Sequence, residues 1–553
     1  MMENRESIIT LIQSSIQKNW EYPALSDLHG ASYQYRDVAR KIAKLHLLFE
    51  HAGLKPGDKI ALCGRNCAQW AMAFLASFTY GTVSVPILHE FKPDNIHNLV
   101  THSDAKLLFV DTSIWENLEP DAMPALKGAL NIADYSVILS RSKRLTEARN
   151  NLNRLFGERY PERFVPSDAV YRQPADDNDM AIINYTSGST GFSKGVVLSY
   201  HNLWSNVRFA LDNIPYIKPG DGAICMLPLA HMFGLTIEML HMLAHGAHIY
   251  FLTRTPSPRI IMDAFATVRP KLIITVPLII EKIIKGRVFP LLDKPLMKVL
   301  LHIPVVDDRL LGKIRDKLTA TFGGNLEQLI IGGAALNKDV ETFLRRIHFP
   351  FTVGYGMTEC APLIAYAPWD AQRPGSCGRI TDRMEARIDS PDPANIPGTL
   401  WVRGDNVMKG YYKNPKATAE ALTPDGWLNT GDLCTRDADG YLYIRGRDKN
   451  MILGPSGQNI YPEEIEAKLN NLPLVGESIV LDRNGRIIAL VHPNYEQGRI
   501  EGLTDQQTEK RVMDQLPVLN KELPGYSRVS AFEIHTDEFA KTPKHSIRRF
   551  LYK

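Results

Sequence analysis

The sequence predicts an α/β fold: a large N-terminal lobe with βαβ-type parallel sheets plus a β-barrel-like subdomain, and a small α+β C-terminal lobe. Three features point there. Up to about residue 400, short apolar or β-branched runs alternate with helix-length stretches, most runs being flanked by Gly, Pro or Asp. Such alternation is what βαβ units and parallel sheets require. Near residue 380 the pattern changes to short strands and turns, and after Lys449 comes a smaller unit of about 100 residues.

Taken in order, segment 33–54 has Val38, Ile42, Leu45 and Leu48 at helical spacing and stops at Gly53, a plausible C-cap. Gln69 to Leu88 runs twenty residues without a charge, close to the length of a membrane-spanning helix. The same stretch holds Ser77, Thr79, Gly81, Thr82, Ser84 and Pro86. It therefore reads as strand Lys59–Cys63, buried helix Ala68–Tyr80, a turn at Gly81 and strand Thr82–Pro86, with no transmembrane segment. Lys106–Val110, Lys271–Val276 and Gln328–Gly332 are further strand candidates. From Glu385 to Arg445, runs such as Pro397–Gly404 and Asp437–Gly446 read as hairpins of the barrel-like subdomain. Pro462–Leu469 starts with proline and carboxylates in its first turn, as a helix does. The expected division is 1–448 and 449–553, with about 385–445 as the β-rich part of the first.

The 553 residues are 44% hydrophobic and 23% charged with net charge +3, ordinary for a soluble protein and without the basic excess of a nucleic-acid binder. Six scattered cysteines form no Cys-x-x-Cys pair, a pattern that fits a reducing cytoplasm better than a disulfide framework or zinc cage. The N-terminus, Met-Met-Glu-Asn-Arg-Glu-Ser, lacks the layout of a signal peptide.

The most informative run is Tyr185-Thr-Ser-Gly-Ser-Thr-Gly-Phe-Ser-Lys-Gly195, with five Ser/Thr hydroxyls, three glycines and a lysine in eleven residues. It follows the apolar Met180–Ile183 and precedes the strand-like Val196–Ser199. Such a loop offers bare backbone N–H groups and short donors to an anion, so a polyphosphate is its natural guest. Lys194 stands three residues after Gly191, so this is not a Walker loop, and nucleotide must be held differently from a P-loop protein.

This run resembles the phosphate loop of the adenylate-forming (AMP-binding) superfamily of acyl-CoA synthetases, luciferases and peptide-synthetase adenylation domains. Gly354-Tyr-Gly-Met-Thr-Glu359, Trp427-Leu-Asn-Thr-Gly-Asp432, Gly440–Lys449 and Asp405–Thr418 match the superfamily in the same order, covering nearly the whole chain. The resemblance implies that ATP, Mg²⁺ and coenzyme A take part. It implies that Thr186, Ser187, Gly188, Ser189, Thr190, Gly191 and Lys194 cradle the β- and γ-phosphates. Thr358 would donate to the α-phosphate and Glu359 would bind Mg²⁺, offsetting the repulsion between a carboxylate and ATP. Tyr355 and Gly356, with the backbone at Gly332, Gly333 and Ala334, would flank adenine. Asp432 would accept from both ribose hydroxyls with Arg447 nearby, and Lys449 would be the pivot of a swinging small lobe.

In pattern the chain is closest to long-chain fatty acid–CoA ligases. Leu227-Pro-Leu-Ala-His-Met-Phe-Gly-Leu235 resembles the segment guarding their acyl and pantetheine channels, with His231 as gate residue. Met232, Phe233, Leu235, Val276, Pro277, Leu278 and Ile279 would give an apolar lining. His241 and His245, four apart, mimic a metal pair, but without well-placed carboxylates they read as satisfied core or surface histidines. A fatty acid is the expected substrate and CoA the expected acceptor, with a free acyl carrier protein as the alternative partner. Transient contact with a membrane surface would suit collection of a poorly soluble acid.

One departure matters. Family members end on a motif like Thr-Pro-x-x-Lys-Ile-x-Arg, whose lysine bridges the substrate carboxylate and α-phosphate. Here the tail reads Lys541-Thr-Pro-Lys-His-Ser-Ile-Arg-Arg549, placing Ser546 at that position. A hydroxyl brings no positive charge. Lys544 is the favoured substitute, with Arg548 and His545 weaker; a non-catalytic acyl or nucleotide binder is the remaining alternative.

Overall fold

The apolar runs fold as expected. In the computed structural model, which describes residues 6–186, 193–254, 257–292, 294–301, 303, 306–453, 458–541 and 547–552, Lys59–Cys63 lies between the parallel strands Val83–Ile87 and Ala105–Val110. Gly128–Asn131 extends this sheet on one side and Met180–Thr186 on the other, both in parallel. Antiparallel strands finish the edges: Val137–Ser140 at one end, Lys194–Ser199 and then Gly410–Tyr411 at the other, giving eight strands. Central strands buried on both faces read as continuous apolar runs, which is why the periodicity was apolar rather than alternating.

The uncharged stretch is buried core. Helix Ala68–Tyr80 buries almost every side chain, stacking Trp70 on Phe74 and Phe74 on Phe78 with centroids 5.8 and 5.5 Å apart. The chain leaves it at Gly81, whose φ of 91° is left-handed and costs glycine nothing. Among the described residues no helix is long and apolar enough to cross a membrane.

Gly222–Cys225, His248–Phe251 and Pro23–Asp27 form a second parallel set, edged by the antiparallel Ser32–Gln34. Leu272–Thr275, Gln328–Ile331 and Phe351–Val353 form a third, all parallel. The predicted hairpins are the antiparallel strands Met384–Asp389, Gly398–Gly404, Leu428–Arg436 and Leu442–Arg447. The smaller C-terminal lobe follows: helix Pro462–Leu469 and the hairpin Val475–Arg483 with Arg486–Pro493, to which Ala531–Ile534 adds in parallel. In parallel α/β sheets the ligand crevice lies beyond the carboxyl ends of the strands. Thr186, Gly332 and Gly354 occupy such ends.

Candidate active site

Thr186 and Lys194 face each other as the last cross-strand pair of Met180–Thr186 and Lys194–Ser199, and the Thr186 hydroxyl donates to the Lys194 carbonyl at 3.5 Å. Ser187, Gly188, Ser189, Thr190 and Gly191 lie outside the described residues. The ammonium of Lys194 stands 4.8 Å from the centroid of the Tyr411 ring. The Tyr411 hydroxyl donates to Glu359 Oε1 at 2.9 Å. One tyrosine thus connects the rim of the phosphate loop to the carboxylate expected to hold a metal. It stands inside the quoted Asp405–Thr418 run, yet sequence reasoning gave it no role.

Thr358 and Glu359 are buried on a single 3₁₀ turn, Thr358–Cys360. Buried side chains fix that turn from several sides. Asn206 donates to the Cys360 carbonyl at 3.1 Å and accepts from Leu363 N–H at 2.9 Å. Thr236 donates to the Ala361 carbonyl at 3.1 Å, and Met408 N–H to the Glu359 carbonyl at 2.8 Å. The donors presented by the turn, a carboxylate and a hydroxyl, are the hard oxygen set that Mg²⁺ takes with few protein ligands. They fit that ion.

Asp432, 3% exposed, sits opposite Arg447 on neighbouring strands. Arg447 Nε is 2.7 Å from one carboxylate oxygen, and the Tyr355 hydroxyl donates to the other. Burial pushes the Asp432 carboxyl above its ordinary value, opposed by the Arg447 guanidinium and the Tyr355 hydroxyl; Glu359 is near enough to add to the rise. Burial and Asp432 together push the Tyr355 phenol up. Arg447, expected near the ribose acceptor Asp432, is its salt-bridge partner. Each carboxylate oxygen retains a second lone pair for another donor.

Strand Gln328–Ile331 delivers Gly332, and the neighbouring Phe351–Val353 delivers Gly354, Tyr355 and Gly356. Gly354 N–H donates to the Ile331 carbonyl at 2.9 Å, so the two loops leave the sheet together. A Cβ at Gly332 would stand 3.0 Å from the Phe233 ring, so the ring packs tightly on the glycine backbone there. Gly333 and Ala334 are exposed. Val276 lies 3.7 Å from where a Gly333 side chain would begin. Met232 and Leu235 are buried, but Leu278 is 50% exposed and does not belong to an apolar lining. It shares helix Pro277–Ile283 with Pro277 and Ile280, which take the inward positions.

His231 is half-buried in the turn before the π-helical stretch Gly234–His241. The backbone leading to it is held by side chains the sequence did not single out. Glu238 accepts from Leu227 N–H at 2.9 Å. Asn66 donates to the Leu227 carbonyl at 2.7 Å and accepts from Leu229 N–H at 2.9 Å. Asn184, two residues before Thr186, donates to the Ala230 carbonyl at 2.8 Å. The available signals were a lone acid within the apolar Leu235–Leu243 and a lone amide after Ala181-Ile-Ile. Burial pushes Glu238 up to about 8.

His241 and His245 are core residues, as expected, but they are not satisfied. Their rings lie 4.8 Å apart and each Nε2 is buried without a partner. Burial pulls them down to about 3 and about 4. Among the described residues no group of three or more His, Cys, Asp or Glu could hold a metal. Lys449 is exposed on the turn Asp448–Asn450 directly after Arg447. Lys544, with Ser546 and His545, lies outside the described residues. Its flanks are fixed by an antiparallel bridge between Lys541 and Ile547.

The family model of AMP-binding enzymes matches residues 12–412. Long-chain-fatty-acid–CoA ligase 1 of Saccharomyces cerevisiae is 28% identical over 536 residues, covering 87% of this chain and 75% of that protein. ATP-bound MatB from Rhodopseudomonas palustris has TM-score 0.76 at 24% identity, over 99% of this chain and 98% of that one. O-succinylbenzoate coenzyme A synthetase (MenE) from Bacillus subtilis, in complex with ATP and magnesium ion, has TM-score 0.73 at 19% identity, over 98% of each chain. The match spans more than two thirds of the chain and takes in the Ser/Thr/Gly-rich segment 186–194, the Thr358–Glu359 turn and Tyr411, and on that ground the chain belongs to the AMP-binding enzyme family.

Proposed function

We propose that the protein is an ATP-dependent, AMP-forming acid–CoA ligase whose acid is a medium- or long-chain fatty acid. The observation that carries the reading is the grouping of Lys194, Tyr411 and Glu359 with the Asp432–Arg447–Tyr355 set. Glu359 and Asp432 are close enough to influence each other's charge, so the two halves of the group share one crevice. A cation, a metal-binding carboxylate and a ribose acceptor are what activation of a carboxylate by a nucleotide requires. The yeast relative named as a long-chain-fatty-acid–CoA ligase supports the substrate, as do the buried Met232 and Leu235 beside the gate. The neighbours titled as ATP-bound and as an ATP and magnesium complex support the nucleotide and the ion.

In this reading a carboxylate oxygen attacks the α-phosphorus, the α–β anhydride bond breaks and pyrophosphate leaves. Thr186, Ser187–Gly191 and Lys194 hold the β- and γ-phosphates, and Thr358 donates to the α-phosphate. Asp432 orients the ribose, while Tyr355, Gly356 and Gly332–Ala334 enclose adenine. Mg²⁺, when bound by Glu359, neutralises phosphate charge. The lobe of residues 449–553 then turns about Lys449. The CoA sulfur attacks the acyl carbon, the acyl–phosphate bond breaks and AMP leaves, with the thiol proton passing to water. Six free cysteines support a reducing, cytoplasmic setting.

Pyrophosphate release measured over a ladder of fatty acids, with and without CoA, tests the reading. CoA-dependent AMP formation, fastest with a medium or long chain, is the expected result. Intact ATP binding with no pyrophosphate from any acid would overturn the activity. Faster turnover of an aromatic or short acid would overturn the fatty-acid assignment.

A further inference from the structure

Tyr411 stands where three parts of the site meet, and its backbone leaves it little freedom. It belongs to the two-residue strand Gly410–Tyr411, which pairs with Val196 and Val197 of the strand leaving the phosphate loop. Tyr411 N–H donates to Thr418 Oγ1 at 2.9 Å, and Tyr412 N–H to the Gly195 carbonyl at 2.7 Å. The ring is thereby aimed by the same strand that carries Lys194. On one side the hydroxyl reaches Glu359 Oε1 at 2.9 Å; on the other the Lys194 ammonium lies 4.8 Å from the ring centroid.

Each contact has its own consequence. A phenol donating to one carboxylate oxygen selects a single rotation of the Glu359 carboxyl and leaves the other oxygen clear of protein donors among the described residues. A cation over an aromatic face is held without being neutralised, so it stays able to meet an anion. A tyrosine that only filled space would need neither contact.

Resting on the reading of Glu359 as the Mg²⁺ ligand, we propose that Tyr411 is a positioning residue: its hydroxyl sets the Glu359 carboxylate for the metal, and its ring stations Lys194 at the phosphate loop. Tyr411→Phe removes the first contact and keeps the second; Tyr411→Leu removes both.

Calorimetric titration of ATP into the full-length protein, with Mg²⁺ and with EDTA, reads binding apart from turnover. In Tyr411→Phe the Mg²⁺ concentration for half-maximal ATP binding should rise about tenfold or more, the range for losing a hydrogen bond to a charged group. ATP binding in EDTA should stay within twofold of wild type. Tyr411→Leu should weaken binding in EDTA as well. In a Glu359→Gln background, adding Tyr411→Phe should change little, because the two act through one carboxylate. A Mg²⁺ requirement unchanged in Tyr411→Phe, or equal losses with and without Mg²⁺, would overturn the role. Wild-type protein that shows this Mg²⁺ pattern but releases no pyrophosphate supports the positioning role and overturns the activity instead. Wild-type protein that binds no ATP overturns both.

Discussion

Burial pushes the Asp432 carboxyl above its ordinary value, and two neighbours resist that rise: the Arg447 guanidinium at 2.7 Å and the Tyr355 hydroxyl. Both favour the ionised form, the one able to accept from two ribose hydroxyls. Arg447→Ala removes the larger of the opposing influences, so the carboxyl of that variant keeps its proton to higher pH. The protonated, poorly accepting form then grows as pH falls. ATP affinity of Arg447→Ala should therefore drop further below wild type at pH 6 than at pH 8, measured by titration calorimetry at both. A deficit independent of pH would mean that Arg447 acts on the nucleotide directly and not through Asp432. Asp432→Asn, lacking the charge at every pH, should lose affinity by about ten- to a hundredfold without such a trend.

At the scale of elements, the π-helical stretch Gly234–His241 serves three parts of the site. Thr236 holds the turn carrying Glu359, Glu238 holds Leu227 ahead of His231, and Phe233 at its start packs on Gly332. Wide π turns recur at functional sites. Glu238, 1% exposed, titrates at about 8 in the folded protein, against about 4.3 in an unfolded chain. Between those values the native state keeps a proton the unfolded chain has lost, so stability declines with rising pH, by roughly 1.4 kcal/mol per unit. His241 and His245 act in the other direction: pulled to about 3 and about 4 by burial, they withdraw stability as pH falls below about 6.5, where the unfolded chain takes up protons. Glu238→Gln keeps an acceptor for Leu227 N–H and cannot ionise. Its melting temperature relative to wild type should climb between pH 5 and pH 8 and then level off. A constant difference across that range would place Glu238 near its ordinary value. None of this was legible from apolar periodicity, which sees only that the stretch is buried. Helix Ala68–Tyr80 was legible because Gly81 marks its end and its apolar run is of helix length. Asp432 and Glu359 could be singled out only because their short motifs resemble those of the superfamily, not from the residues alone. Tyr411 reaches Glu359 across 52 residues and Asn66 reaches Leu227 across 161, pairings that depend on strand register and loop placement, which a single sequence does not encode locally.

At the scale of the whole molecule, polar contacts among the described residues join the small lobe to the large one around Asn471. Asn471 meets Lys285 at 3.3 Å and also accepts from Asn337. The proposed reaction also calls for a cation from the tail where carboxylate and α-phosphate meet. Two of its cations are engaged elsewhere: Lys541 pairs with Glu477 and Glu538, and Arg549 with Glu466 and Glu463. Burial lifts Glu466 to about 7 even with Arg549 beside it, so losing Arg549 would leave that carboxyl without its ion-pair partner. The proposed substitute for Ser546 is then Lys544, with Arg548 and His545 weaker, and in sequence Lys544 stands between the bridged residues Lys541 and Ile547. Lys544→Ala should slow acyl-adenylate formation by roughly two to three orders of magnitude, as loss of a transition-state contact does. Thioester formation from supplied acyl-AMP should persist, because that step follows reorientation of the lobe. Measuring the two half-reactions separately decides the matter: an unaffected first half-reaction in Lys544→Ala shifts the charge to Arg548, and equal loss in both halves points to a disturbed lobe rather than a missing cation.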